Sequence, residues 1–212
     1  MTKSRVETFS DGVFAIAITL LVLTIAQPGD YLHLGNSLAR RWPSLAAYLV
    51  SFAVIAIMWV NHHTVFGHLD RLDRNFVYLN MVLLATVVFI PYPTGVFGEA
   101  LRRGLGTREA AVFYSATMTL NAFAWAALWL YAANRRRLLA PAFPEEQRRI
   151  STLLFTAGAA VYAATIAIAY ASAYACLAFH GALAVYYALD PLSRRATATQ
   201  MSDAEPTPEQ PG

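Results

Sequence analysis

RVETFSDGVFAIAITLLVL, running from Arg5 to Leu23, opens with charged and polar residues and passes directly into an almost unbroken apolar stretch. Between Gly12 and Ala26 only Thr19 and Thr24 are polar. This length makes about 22 Å of helix at roughly 1.5 Å per residue, against a hydrocarbon layer of about 30 Å. The helix therefore crosses only if its Asp11 end continues into protein or water. A carboxylate at the edge of hydrocarbon is costly unless it faces a partner or a wet cavity, so Asp11 is a candidate functional residue. A secretory signal would place a short basic region before the apolar run and a small-x-small site after it. Asp11 interrupts that pattern, and Gln27-Pro28-Gly29 lacks the site.

The rest of the chain repeats the pattern. Its 212 residues are 57% hydrophobic and 14% charged, with the charges clustered between long apolar runs. That is the composition of an integral membrane protein. Apolar cores at about 9–26, 43–61, 76–97 and 109–133 are followed by a block from about 150 to 190, too long for one span and divided here near Tyr170 to Ala173. The expectation is an all-α, polytopic domain over 1–192, with helices at about 5–27, 43–66, 72–97, 107–137, 147–170 and 172–191. Residues 193–212, rich in proline and without apolar periodicity, read as a disordered cytoplasmic tail. Eleven Lys and Arg residues fall in the N-terminal segment, the 62–75 and 134–149 loops and the tail, against five in the alternate loops. The positive-inside rule then places both termini in the cytoplasm. These basic residues read as topology signals, not as a nucleic-acid surface.

In that topology, Asp11 lies at the cytoplasmic end of the first helix. The second helix ends at the same level in Trp59-Val60-Asn61-His62-His63, and the third begins there with Tyr78 and Asn80. Ser10 and Asp11 are thus expected to accept hydrogen bonds from donors such as Trp59, His62, His63, Asn80 or Arg5. A plain N-cap at Ser10-Asp11 is the simpler alternative. Because the first helix is apolar all round, its pattern does not reveal which face is covered. One stripe at helical spacing reads Ile16, Thr19, Leu20, Leu23. Repeated by symmetry, it would make hydrophobic rings interrupted by hydroxyls, and such constrictions gate by dewetting.

Arg5-x-x-x-Phe9-Ser10-Asp11, the Ala/Ile/Thr/Leu helix behind it, and Trp59-Val60-Asn61-His62-His63-Thr64-Val65-Phe66 resemble the bacterial branch of the transmembrane protein 175 family, potassium-permeable channels related to a lysosomal potassium channel of animals. The resemblance implies a homotetramer in a bacterial plasma membrane, with helix 1 lining a central pore. It also implies a principal constriction at Ile16, further rings at Leu20 and Leu23, a selectivity layer at Thr19, and a Ser-Asp network tying helix 1 to helices 2 and 3. The expected partners are potassium and other monovalent cations and the lipid bilayer, with no nucleic acid and no cofactor.

No Thr-Val-Gly-Tyr-Gly filter sequence is present, so modest selectivity of potassium over sodium is expected without a re-entrant carbonyl filter. Pro91-Tyr92-Pro93-Thr94-Gly95-Val96-Phe97-Gly98 reads instead as a kinked exit from the third helix. His62, His63, His68 and Asp70 carry metal-ligand chemistry, but a structural or pH-sensing role is favoured over a metal site. His180 reads as a packing residue, and the single cysteine, Cys176, as a small core residue. No nucleophile with a base and no phosphate loop appears, so an enzyme is not expected. The function expected is a potassium-permeable cation channel. The alternative is a proton-coupled secondary cation transporter using Asp11 and the histidines, although neither internal repeats nor broken midplane helices are evident.

Overall fold

The computed structural model describes residues 2–189, and all its long elements are helical. In chain order these are α1 (Lys3–Leu20), α2 (Leu34–Ala39), α3 (Trp42–Gly67), α4 (Arg74–Phe89), α5 (Pro91–Arg103), α6 (Thr107–Asn134), α7 (Glu145–Ala171) and α8 (Ala173–Leu189). Five segments are long and apolar enough to cross a membrane: Lys3–Thr24, Trp42–Gly67, Arg74–Arg103, Thr107–Asn134 and Glu145–Ala171. Helix α8 is apolar but has only 17 residues. The tail assigned to 193–212 lies outside the described residues.

Two boundaries differ from the sequence reading. The first helix is α-helical only to Leu20; Leu21–Thr24 tightens into a 3₁₀ turn, and Ile25 is extended. The third span does not exit at the proline pair. Pro91 opens α5, where its missing N–H would have had no helical partner at a fresh helix start, and Thr94 N–H still reaches the Ile90 carbonyl at 3.1 Å. The prolines therefore mark a joint, and helix resumes to Arg103, where Gly104 closes it at φ 69°. The short α2 within the loop between α1 and α3 was also not foreseen. Between α7 and α8 the division falls at Ser172, which is extended and caps the next helix by accepting from the Ala175 amide.

The core lies where α3, α4, α5 and α6 meet, around Ile55, Phe66, Phe76, Leu83, Phe97, Tyr114 and Trp129. Helix α1 lies against α3 and α4, α7 rests mainly on α6, and α8 packs on α3 and α7. The α3–α5 contact is very close. A Cβ built on Gly98 would sit 2.9 Å from the Ser44 backbone, and Ser44 Oγ donates to the Gly98 carbonyl at 3.1 Å. Close backbone approach at small residues is a common route to helix association in lipid, where no hydrophobic drive separates helix from solvent.

At the end of the bundle carrying the α3 C-terminus, two loops are clasped together. Leu69 and Leu139 form an antiparallel bridge, reinforced by Asp70 N–H to the Leu138 carbonyl and Ala140 N–H to the His68 carbonyl, both 2.9 Å. Asp73 caps α4 by accepting from the Phe76 amide at 2.9 Å, and its other oxygen accepts from Tyr131 at 2.9 Å and Arg137 at 3.2 Å. Burial disfavours the Asp73 carboxylate, but these donors outweigh it and hold its pKa below the usual range. Burial, aided by Lys3, lowers the His68 pKa and keeps its ring neutral more readily.

Candidate functional site

Helix α1 has two faces of different character. Val6, Ser10, Phe14, Ala17 and Leu21, spaced by three or four residues, are buried against the bundle. On a different side of the helix, Ile16, Thr19, Leu20 and Leu23 are all exposed; Ile16 is 58% and Leu23 76% uncovered. The sequence-selected stripe is thus the face of α1 turned away from its own chain. Thr19 donates its hydroxyl hydrogen to the Ile16 carbonyl at 2.8 Å, leaving the oxygen lone pairs facing outward.

The buried face carries a polar chain. Ser10, Asn80 and His62 are each 0% exposed. Ser10 Oγ donates to the Val6 carbonyl at 2.8 Å and accepts from Asn80 Nδ2 at 3.0 Å; Asn80 Oδ1 accepts from His62 Nε2 at 2.9 Å. This pattern assigns the His62 proton to Nε2 and leaves buried Nδ1 without a partner. The ring is enclosed by Phe14 edge-on at 5.3 Å, Phe66 stacked at 4.2 Å and Trp125 edge-on at 6.2 Å. One residue from each of α1, α3 and α4 therefore meets in a dry network. Removing a partner from such a network leaves an unsatisfied group at about 1–3 kcal/mol.

Asp11 lies beside this network, at the half-exposed edge, where its carboxylate accepts from Trp59 Nε1 at 2.9 Å. His63 is largely exposed and pairs instead with Glu7 at 3.5 Å, a contact not read from the sequence. Three further expected members do not join. Arg5 is exposed and makes no hydrogen bond or ion pair among the described residues, Phe9 is 55% exposed, and Asn61 faces a cavity on the other side of α3. His62 and His63 point to different surroundings, and no group of three metal-ligating side chains occurs among the described residues.

A second polar cluster was missed. Ser51 on α3 lies 2.9 Å from the Tyr114 hydroxyl of α6 and 2.8 Å from Thr94 of α5. Nearby, Cys176 contacts Ser115 at 3.1 Å, and His180 Nδ1 donates to the Cys176 carbonyl at 2.9 Å. Each is an ordinary hydroxyl, thiol or ring in an apolar helix, without local spacing to mark it.

Comparison with known proteins agrees with this architecture. Residues 5–91 match the family described as "Endosomal/lysosomal potassium channel TMEM175". A potassium channel of Streptomyces collinus is 44% identical over 190 residues, covering 87% of this chain and 91% of that protein. A potassium channel of Chamaesiphon minutus is 40% identical over 189 residues, covering 87% and 93%. The crystal structure of a lysosomal potassium-selective channel TMEM175 homolog from Chamaesiphon minutus superposes with a TM-score of 0.80 at 38% identity, over 88% of this chain and 96% of that one. The chain is a multi-pass membrane protein that belongs to the TMEM175 family.

Proposed function

We propose that this protein is a potassium-permeable cation channel of a bacterial plasma membrane, built as a homotetramer of six-span subunits with both termini in the cytoplasm. The observation that carries the reading is the division of α1 into a buried face anchored through Ser10 and a mainly apolar face its own subunit leaves uncovered. The names of its relatives support the same reading.

In this assembly the α1 stripes of four subunits surround the axis. Ile16 forms the narrowest hydrophobic ring, with Leu20 about 6 Å and Leu23 about 12 Å further along, at roughly 1.5 Å per α-helical and 2.0 Å per 3₁₀ residue. A water column between apolar rings is unstable at small radius, and its loss stops ions. Thr19 offers oxygen lone pairs between the rings, because its hydrogen is already donated to Ile16. A single hydroxyl layer replaces only part of an ion's hydration, so potassium is preferred over sodium modestly and no carbonyl filter is used. Ser10, Asn80 and His62 fix the rotation of α1 so that the stripe faces the axis.

Single-channel recording in planar bilayers tests this under a potassium gradient, then with potassium against sodium. Discrete steps reversing toward the potassium potential are expected. Ile16→Asn should wet the constriction and raise the current. Saturable uptake that follows a proton gradient, without steps, would overturn the channel in favour of a transporter.

A further inference from the structure

Away from α1, residues of α3, α6, α7 and α8 line a half-open crevice of about 180 Å³. Its walls are apolar and aromatic, including Met58, Trp125 and Phe155, and no charged side chain lines it. At the mouth, near the C-terminal part of α3 and the first turns of α7, Asn61 and Ser151 line the crevice without a hydrogen-bond partner among the described residues. Deeper in, the fully buried Asn121 donates Nδ2 to Thr86 at 2.8 Å while its Oδ1 has no partner.

We propose that this crevice binds a neutral, single-ring lipophilic alcohol, with its hydroxyl at Asn61 and Ser151 and its apolar body against Trp125 and Phe155. Three observations select the occupant. The absence of charged lining excludes an ion, whose desolvation would find no compensation. The volume is close to the roughly 150 Å³ apolar cavity that holds benzene in an engineered protein, so the lined part of the crevice matches one ring. The unpaired amide and hydroxyl at the mouth supply a donor and acceptors for one polar group.

Occupancy also has a route to α1. Trp125 lines the crevice, stacks on Phe155 at 5.9 Å and presents its edge to His62 at 6.2 Å. His62 holds Asn80, which holds Ser10. A molecule that displaces Trp125 therefore perturbs the group that orients α1. Binding stands independently; its effect on conduction rests on the channel reading.

The test compares thymol with p-cymene, the same molecule without the hydroxyl, using saturation-transfer NMR on the full chain in nanodiscs. Thymol should bind saturably and about fivefold more tightly, the gain expected for one net hydrogen bond. Ser151→Ala should reduce that preference. Gly158→Leu should abolish saturable binding by filling the crevice, since a Cβ there meets only the Tyr187 hydroxyl at 3.4 Å. Equal signals from the two probes, or thymol binding unchanged in Gly158→Leu, would overturn the site in favour of bilayer partitioning. Displacement of thymol by a few mole per cent of a monoacylglycerol would overturn the ring-sized occupant and assign the crevice to a lipid chain. Potassium flux that shifts with thymol in the parent but not in Gly158→Leu supports coupling. Binding without a shift overturns the coupling alone, and absence of potassium flux in every sample overturns the channel reading.

Discussion

The two polar clusters of the bundle are built from similar groups but hold different helices. Ser10, Asn80 and His62 join α1 to α3 and α4, whereas Ser51, Thr94 and Tyr114 join α3, α5 and α6 without touching α1. Beyond Ser10, the buried face of α1 is held by Phe14, Ala17 and Leu21, and its end packs near α5, where a Cβ on Gly95 would lie 3.0 Å from Thr24. The helix is therefore tied to its neighbours by side-chain hydrogen bonds near Ser10 and by packing from Phe14 to Leu21, and just past its far end Arg41 donates to the Ala26 and Gln27 carbonyls. The hydrogen bonds that set the rotation of α1 itself thus cluster near Ser10, at the end away from Leu23.

The contrast can be broken most strongly at Asn80. Asn80→Leu strands the His62 N–H in a dry pocket and should cost about 2 kcal/mol of stability, measured by thermal unfolding, with altered conduction because α1 loses its rotational reference. Tyr114→Phe should cost about 1 kcal/mol by the same assay. It should leave conduction near the parent level, since α1 is not a member of that cluster. An equal conduction defect in both variants would show that the clusters do not act separately.

Asp73→Ala sharpens the comparison by loosening the loop clasp without entering either cluster, at about 1 kcal/mol for loss of the helix cap. The sign of its pH dependence follows from the lowered folded pKa. The carboxylate's contribution is complete above the unfolded value of 3.8 and disappears as pH falls through the lower folded value, so acid unfolding of the variant should be less steep. His68 acts at milder pH. Its folded pKa is also lowered, so the unfolded chain binds more protons below about 6.5 and stability falls on acidification; His68→Gln should flatten that part of the stability curve. The smallest effect is expected for Asp11→Asn. Its amide oxygen still accepts from Trp59 at an exposed edge, so unfolding should shift by less than about 0.5 kcal/mol.

The chain's residues explain which parts of this were legible in advance. Topology brings Ser10, Asp11, Trp59, His62 and Asn80 to one membrane level, because the ends of spans are marked by composition. It does not divide them into the buried Ser10–Asn80–His62 chain and the exposed Asp11–Trp59 pair. That division depends on the rotation of α1, which an all-round apolar sequence does not encode. Arg5 and Phe9 are on the same segment as Ser10 but on its uncovered side. Pro91 and Pro93 suggested a helix exit because proline removes donors, yet a helix restarting at Pro91 needs no donor there. Ser51, Thr94 and Tyr114 were illegible because they lie on three helices and meet only through tertiary packing.

The 3₁₀ turn over Leu21–Thr24 has an angular consequence for the proposed pore. An α-helix advances about 100° per residue and a 3₁₀-helix about 120°, so residues three apart stand nearly in line in the latter. Leu23 is accordingly set almost directly over Leu20. Relaxing that single turn to α geometry would swing Leu23 sideways by about 60° while Ile16 keeps its azimuth. The outer ring is thus a dial that can turn by itself.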